Sequence, residues 1–258
     1  MKVIPKNTHS PLRFDELPQG IQAVCNRLLG GLISALDDNL YGLYLYGAMV
    51  FPETRYIEDL DFHVIINQTL ADSEKEAIRK LHNEISDEFS VSKDDLDGYY
   101  ILLDDARKLT TPWHQVYPDI LDESWPLHIA HMRAGYCITL YGPEPGTFLP
   151  EPVWRDLMKG LGSTLIHTVK NLDRHPAYCI LNLCRILYSY TTGDVVVSKS
   201  SAAGWVQEHF PEWRELVDST LRVYEKEEDS EDRDNIRSKI KEFHRFVTGK
   251  IKQSNRDK

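Results

Sequence analysis

The apolar pattern of this chain changes at a short segment rich in glycine and proline, Gly142-Pro143-Glu144-Pro145-Gly146. Before this segment, apolar runs of strand length alternate with helical patterns. After it, apolar residues recur at helical spacing and no run is typical of a strand. Because glycine and proline interrupt regular structure, the segment predicts two domains, 1–145 and 146–258.

The first domain is predicted to be an α/β domain. Leu40 to Tyr46 and Leu60 to Ile66 are short, apolar runs typical of buried strands. Ser73-x-x-Glu76 resembles a capping box, which predicts a helix start there. The full set of predicted elements is helices at 15–38, from 73 onward and at 127–135, and strands at 40–46, 60–66, 96–103 and 136–140.

The second domain is predicted to be an all-α helical bundle. Its apolar spacing predicts helices near 153–172, 175–191, 199–209, 211–226 and 231–252. Residues 225–234 hold seven acidic and two basic side chains, and we interpret them as a solvated connection between helices.

Composition argues against a nucleic-acid-binding protein and against a membrane protein. The 258 residues carry a net charge of −10 at pH 7, which argues against a nucleic-acid backbone as partner and allows a cationic small molecule. No apolar run reaches the roughly 18 residues of a membrane span, and no secretory signal is present. The four cysteines are scattered among apolar residues, a pattern typical of buried free thiols in a cytoplasmic protein.

Three carboxylates form the strongest chemical pattern. Asp59 and Asp61 enter a predicted strand two residues apart, so their side chains point to the same side. Asp97 begins the next predicted strand and can add a third carboxylate. Such a set can hold magnesium ions around a phosphoryl centre. The alternative is that Asp-x-Asp simply ends a loop in solvent.

A glycine turn upstream favours the phosphoryl interpretation. Gly47 and Ala48 follow the preceding predicted strand, ten residues before Asp59. A tight glycine turn lets backbone N–H groups approach a triphosphate.

The helical half contributes two cations. Arg185 lies in a long apolar stretch, so a partly buried guanidinium there needs an anionic partner. That partner is either a structural carboxylate or a nucleotide phosphate. Ser198-Lys199, at a predicted helix start, offers a second cation together with a positive helix end.

Together these residues resemble a known group. The N-terminal half resembles the nucleotidyltransferase fold of the DNA polymerase β superfamily, whose signature is Gly-Ser, a spacer and Asp-x-Asp. The chain from about residue 20 to 252 resembles the aminoglycoside adenylyltransferases that modify streptomycin and spectinomycin. The motifs that carry this resemblance are Pro112-Trp113, Tyr117-Pro118, Leu140-Tyr141-Gly142-Pro143, Arg185-Ile186-Leu187-Tyr188-Ser189-Tyr190-Thr191-Thr192-Gly193, Ser198-Lys199 and Ala202-Ala203-Gly204-Trp205.

The resemblance implies a fold and an activity. The fold is an α/β (α+β) nucleotidyltransferase domain with a mixed sheet, followed by an all-α helical bundle. The activity is transfer of AMP from ATP, with Mg²⁺ as cofactor, to a hydroxyl of a small cationic acceptor such as streptomycin or spectinomycin. A monomeric cytoplasmic enzyme of antibiotic resistance, without nucleic-acid or membrane partners, is expected.

The resemblance also implies roles for single residues. Asp59 and Asp61 would be catalytic Mg²⁺ ligands, and Asp97 falls at the position of the general base, where it is also a candidate metal ligand. The nucleotide would contact Gly47, Ala48, Arg185 and Lys199, and the acceptor would contact Trp113 and Asp173.

Three departures from the family pattern leave alternatives open. Ala48 replaces the family's Ser, Asp97 replaces its Glu, and residues 170–176 differ from its acceptor-recognition segment. One alternative is a weak or inactive nucleotide-binding homologue with a regulatory role. The other is a nucleotidyltransferase with a different acceptor, a protein or an RNA.

Overall fold

The computed structural model describes most of the chain and divides it into two compact units. The described residues are 10–54, 59–92, 95–117, 123–227 and 229–254. The N-terminal unit contains the described residues up to Pro52 and from Asp59 to Val153. The second unit contains the chain from Trp154 onward together with Glu53 and Thr54, which interrupt the first unit in sequence. The domain boundary at 145/146 stays a prediction.

The N-terminal unit contains a mixed sheet, as predicted. Within the described residues its strands are β1 (Leu40–Leu45), β2 (Phe62–Ile66), β3 (Gly98–Leu102) and β4 (Ile138–Tyr141). Their spatial order is β3-β2-β1-β4, with β2 and β3 parallel and the other pairs antiparallel. All five side chains of β2 are buried, which explains why its sequence is a continuous apolar run rather than an alternating one.

Helices lie on both faces of this sheet. They are α1 (Gln19–Leu36), α2 (Asp72–Phe89), α3 (Leu103–Ala106) and α4 (Trp125–Arg133). On one face, His82 of α2 meets Phe62 at a ring distance of 6.0 Å. On the other, Trp125 of α4 joins Tyr44 and Ile65 in a fully buried core. The site residues of the sheet are therefore backed by packed helices.

The predicted capping box at Ser73 is wrong by two residues. The helix begins at Asp72, and the carboxylate of Glu74 accepts a hydrogen bond from the N–H of Ala71 at 2.6 Å. Ser73 thus lies inside the first turn. The reason is that Glu74 satisfies an N–H group at the helix start without help from a capping hydroxyl.

The second unit is helical, as predicted. It contains α5 (Trp154–Lys170), α6 (Pro176–Thr192), α7 (Lys199–His209), α8 (Arg214–Tyr224) and α9 (Ser230–Ser254). The central element is α6, which contacts the other four helices. Twelve of its side chains are buried, so it is apolar on nearly all sides.

An ion pair changes the interpretation of the acidic connection at 225–234. Asp232 is only 2% exposed and accepts a hydrogen bond from Arg222 Nε at 2.9 Å. The guanidinium of Arg222 holds the pKa of Asp232 well below its usual range. One of the acids predicted to be solvated is therefore a buried partner of α8.

Two further observations concern the whole described chain. Among the described residues, no helix combines the length and the apolar character that a membrane-spanning segment needs. The four cysteines are free thiols, and burial raises the pKa of Cys25 to about 12. Such thiols are poor nucleophiles at neutral pH.

Candidate active site

The parallel pairing of β2 and β3 places Asp61 beside Asp97. Phe62 N–H donates to the carbonyl of Asp97 at 3.0 Å, and Asp97 N–H donates to the carbonyl of Leu60 at 3.1 Å. These two bonds make Asp61 and Asp97 register partners, one residue before each strand begins. Because partners in a parallel pair direct their side chains to the same face, both carboxylates lie on one side of this sheet edge.

Gly47 lies directly against the carboxylate of Asp61. Its φ of +81° is in the left-handed region. A Cβ atom added to Gly47 would lie 1.8 Å from Asp61 Oδ2, so a side chain at this position would have to displace the carboxylate. Gly47 also begins a 3₁₀ turn, Gly47–Val50, which contains Ala48. The glycine turn and the aspartates predicted from sequence are thus brought together.

The carboxylates can be tested as ligands for Mg²⁺. Asp59 lies in a bend two residues before Asp61, at the same edge of the sheet. Among the residues that the structure describes, no three His, Cys, Asp or Glu side chains form a ready-made metal cage. Mg²⁺ usually takes one or two carboxylates and completes its shell with water and substrate phosphates. Paired carboxylates beside a glycine turn fit that requirement.

Lys199 is held by two tyrosines of the helical unit. It is the first residue of α7, and its Nζ donates to the hydroxyl of Tyr224 at 3.0 Å. The ammonium lies 4.7 Å from the ring centre of Tyr178 and 4.9 Å from that of Tyr224. Both contacts are cation–π interactions, which fix the ammonium position while leaving its charge intact.

Arg185 lies on α6 between residues that are buried, and is itself half-buried. The helical unit therefore provides both cations predicted from sequence, one on α6 and one at the start of the neighbouring α7.

A carboxylate that sequence reasoning missed is bound at the start of α7. Glu53 Oε1 accepts hydrogen bonds from Ser198 Oγ at 2.6 Å and from Ser201 Oγ at 2.5 Å. Ser198 also caps the helix by accepting from Ser201 N–H at 3.0 Å. The sequence predicts a phosphate site at this helix end, but in the structure the carboxylate of Glu53 binds there. No sequence signal indicated the contact.

The two residues predicted to contact the acceptor molecule, Trp113 and Asp173, are both exposed. Trp113 is 61% exposed and precedes His114, which forms a β-bridge with Ile101. Asp173 lies in the turn between α5 and α6. Their roles stay predictions.

Histidines and aromatic rings lie behind the carboxylates on the same face of the sheet. His63 follows Asp61 by two residues on β2, and Tyr99 follows Asp97 by two on β3. We define the ring cluster by its members: Tyr46, His63, Tyr99, His114, Trp125 and His128. Sequence reasoning treated these positions as ordinary strand, loop and helix residues. A histidine inside a continuously apolar strand was the available signal.

Another histidine, His82, lies on the opposite face of the sheet. His82 Nε2 lies 2.7 Å from the hydroxyl of Tyr100, and Nδ1 lies 3.3 Å from that of Tyr117. Burial lowers the pKa of His82 to about 4, so the ring is neutral at neutral pH. This group belongs to the core, away from the carboxylates.

A solved structure shares the fold of this chain. The N-terminal unit has a mixed sheet with a glycine turn against paired aspartates, and a helical unit follows it, as the resemblance implies. A crystal structure of spectinomycin adenyltransferase AAD(9) from Enterococcus faecialis with ATP and spectinomycin has this fold. It is 20% identical, with a TM-score of 0.71, and the match covers 88% of this chain and 98% of that one.

A family model matches the C-terminal part of the chain. Residues 151–250 match the model of the family described as aminoglycoside adenylyltransferase, C-terminal domain. This match confirms the resemblance of the C-terminal region to the aminoglycoside adenylyltransferases.

Two named relatives are similar to most of this chain. Spectinomycin 9-adenylyltransferase from Enterococcus faecalis is 24% identical over 214 residues, 73% of this chain and 81% of that protein. The protein of the same name from Staphylococcus aureus is 22% identical over 237 residues, 84% of this chain and 89% of that protein.

Proposed function

We propose that this protein transfers AMP from ATP to a hydroxyl group of an aminoglycoside, with spectinomycin as the first candidate. The observation that carries the proposal is the contact of Gly47 with Asp61, with Asp97 paired beside it. The names of the relatives support spectinomycin ahead of streptomycin. We also propose a cytoplasmic location, because ATP as substrate and four free thiols suit a reducing compartment. For the oligomeric state we propose a monomer.

The chemistry is an in-line displacement at the α-phosphorus of ATP. The acceptor hydroxyl gives its proton to a base while its oxygen forms a bond to the α-phosphorus. The bond from that phosphorus to the bridging oxygen breaks, and pyrophosphate leaves with the electron pair. Most of the acceleration comes from positioning and charge neutralisation.

Each residue has a role in this proposal. Asp59 and Asp61 would hold Mg²⁺, which would neutralise phosphate charge when bound. Asp97 accepts the proton of the acceptor or adds a metal ligand. The backbone of Gly47 and Ala48 binds phosphate oxygens. Arg185 and Lys199 contact the triphosphate, and Trp113 and Asp173 contact the acceptor.

The test is transfer of label from α-labelled ATP, with Mg²⁺, to spectinomycin and streptomycin. We expect labelled spectinomycin from the wild type and none from Asp61→Asn, with little change in melting temperature. Asp104→Asn is the matched control, because its side chain is 89% exposed on α3. It should retain full activity.

The outcome also decides between the alternatives. ATP binding without transfer to either drug would contradict the proposed acceptor and favour the inactive homologue, for which Ala48 is the motivating residue. A large loss of melting temperature in Asp61→Asn would instead make Asp61 a structural residue.

A further inference from the structure

We propose that the stack of Tyr46 on His63 holds Gly47 against Asp61, which makes His63 a positioning residue for nucleotidyl transfer. The role in the reaction rests on the proposed function. The geometry rests on the N-terminal unit alone.

The two rings belong to the residues that flank the Gly47–Asp61 contact. Tyr46 directly precedes Gly47, and its N–H donates to the carbonyl of Asp61 at 3.1 Å. His63 follows Asp61 by two residues and pairs with Tyr44 across the strands. Because side chains alternate along a strand, the rings of Tyr46 and His63 lie on the same face as the Asp61 side chain.

The two rings are stacked and buried. Their centroids are 4.1 Å apart and their planes differ by 20°. His63 is 0% exposed and Tyr46 is 8% exposed. Tyr46 also lies 4.7 Å from the ring of His128, so a displacement of Tyr46 would disrupt two ring contacts in a closely packed region.

Other rings hold His63 in place. Trp125 of α4 meets it edge-on at 5.0 Å, with planes 86° apart. His128, also of α4, lies at 5.3 Å, and Tyr99 of β3 lies at 5.5 Å. Contacts from two further elements thus fix the ring on which Tyr46 rests.

Tyr46 is covalently bonded to Gly47, so its position determines where the glycine turn begins. Gly47 has no space to spare toward Asp61, since a Cβ atom would already lie 1.8 Å from the carboxylate. A small shift of the Tyr46 backbone would push the turn into Asp61 or open the contact. Misplacement of a reacting group by about 1 Å can cost about 100-fold in rate.

The test compares two replacements of His63. His63→Phe keeps a flat ring for Tyr46, whereas His63→Leu keeps apolar volume without a ring face. We expect His63→Leu to raise the Kd for ATP with Mg²⁺, measured by calorimetry, by about tenfold or more. His63→Phe should stay within about threefold of the wild type.

A matched control separates positioning from stability. Ile65→Ala removes a fully buried side chain on the same strand and face, two residues further from Asp61. It should lower the melting temperature without changing the Kd for ATP. Tyr46→Leu removes the other ring of the stack and should raise the Kd for ATP as His63→Leu does. It also provides the test if His63→Leu does not fold.

Crystal structures of the wild type and the variants provide a readout that needs no ATP. We expect the Gly47–Asp61 contact to be kept in His63→Phe and lost in His63→Leu or Tyr46→Leu. Retention of the contact in both leucine variants, or equal loss of ATP affinity in His63→Phe and His63→Leu, would overturn the inference. Failure of the wild type to bind ATP would overturn the proposed function alone, because the structural comparison still decides the inference.

Discussion

Individual residues at the end of β1 and the start of β2 differ in how much freedom they have. Gly47 is restricted twice, by a positive φ and by the carboxylate of Asp61. Ala48, its neighbour in the same turn, is half-exposed and keeps the backbone N–H that the proposal uses. The missing Ser hydroxyl is therefore a smaller change than a side chain at position 47 would be.

Gly47→Ala should weaken ATP binding while leaving the unit folded. We expect the Kd for ATP with Mg²⁺ to rise by about tenfold or more, because the new methyl group displaces Asp61. Gly135→Ala is the matched control, since Gly135 has φ +87° but no atom within 4 Å of an added Cβ. Backbone strain should lower the free energy of unfolding of both variants by about 1 kcal/mol, which chemical unfolding measures. Only Gly47→Ala should lose affinity for ATP. Equal ATP binding by both would contradict the role of the contact.

At the scale of elements, the start of α7 is fixed by a residue far away in sequence. Glu53 and Ser198 are 145 positions apart, yet they share a hydrogen bond. The helix start predicted from Ser198-Lys199 is correct, because the cap is a local contact. The carboxylate that binds there is a tertiary contact, so the local pattern could not indicate it.

Ser201→Ala should loosen the first turn of α7. It removes one of the two hydroxyl groups that donate to Glu53 and leaves the Ser198 hydroxyl in place. A hydrogen bond to a charged group contributes about 2 kcal/mol, so amide hydrogen exchange in that turn should become faster. Ser200→Ala, at the neighbouring position, is the control and should leave the exchange rates unchanged. Unchanged exchange in Ser201→Ala would mean that Glu53 contributes little to α7.

At the scale of the molecule, each unit is stabilised by a polar group in its interior. The helical unit has the pair of Asp232 with Arg222, and the N-terminal unit has His82 between Tyr100 and Tyr117. These groups respond to acid in different ranges, because Asp232 must be protonated to lose its partner whereas His82 must become charged inside the core.

His82 should make the N-terminal unit less stable as the pH falls from 6.5 toward 4. In this range the unfolded chain binds a proton that the buried ring does not, since burial lowers its pKa from 6.5 to about 4. The resulting loss is about 3 kcal/mol. Hydrogen exchange of the β2 and β3 amides measures this unit separately. His82→Asn should remove that pH dependence, and an unchanged slope in the variant would rule out His82 as its source.

Sequence alone determined the elements and the core of the site, because these depend on local periodicity and spacing. The strands, the five helices of the second unit and the proximity of Gly47 to Asp61 all follow from patterns within about twenty residues. The tertiary structure alone decided which distant side chains meet: Glu53 with Ser198 and Ser201, His63 with Trp125, Lys199 with Tyr178 and Tyr224. Such contacts depend on packing of separate elements, and no local pattern in one segment specifies its partner in another.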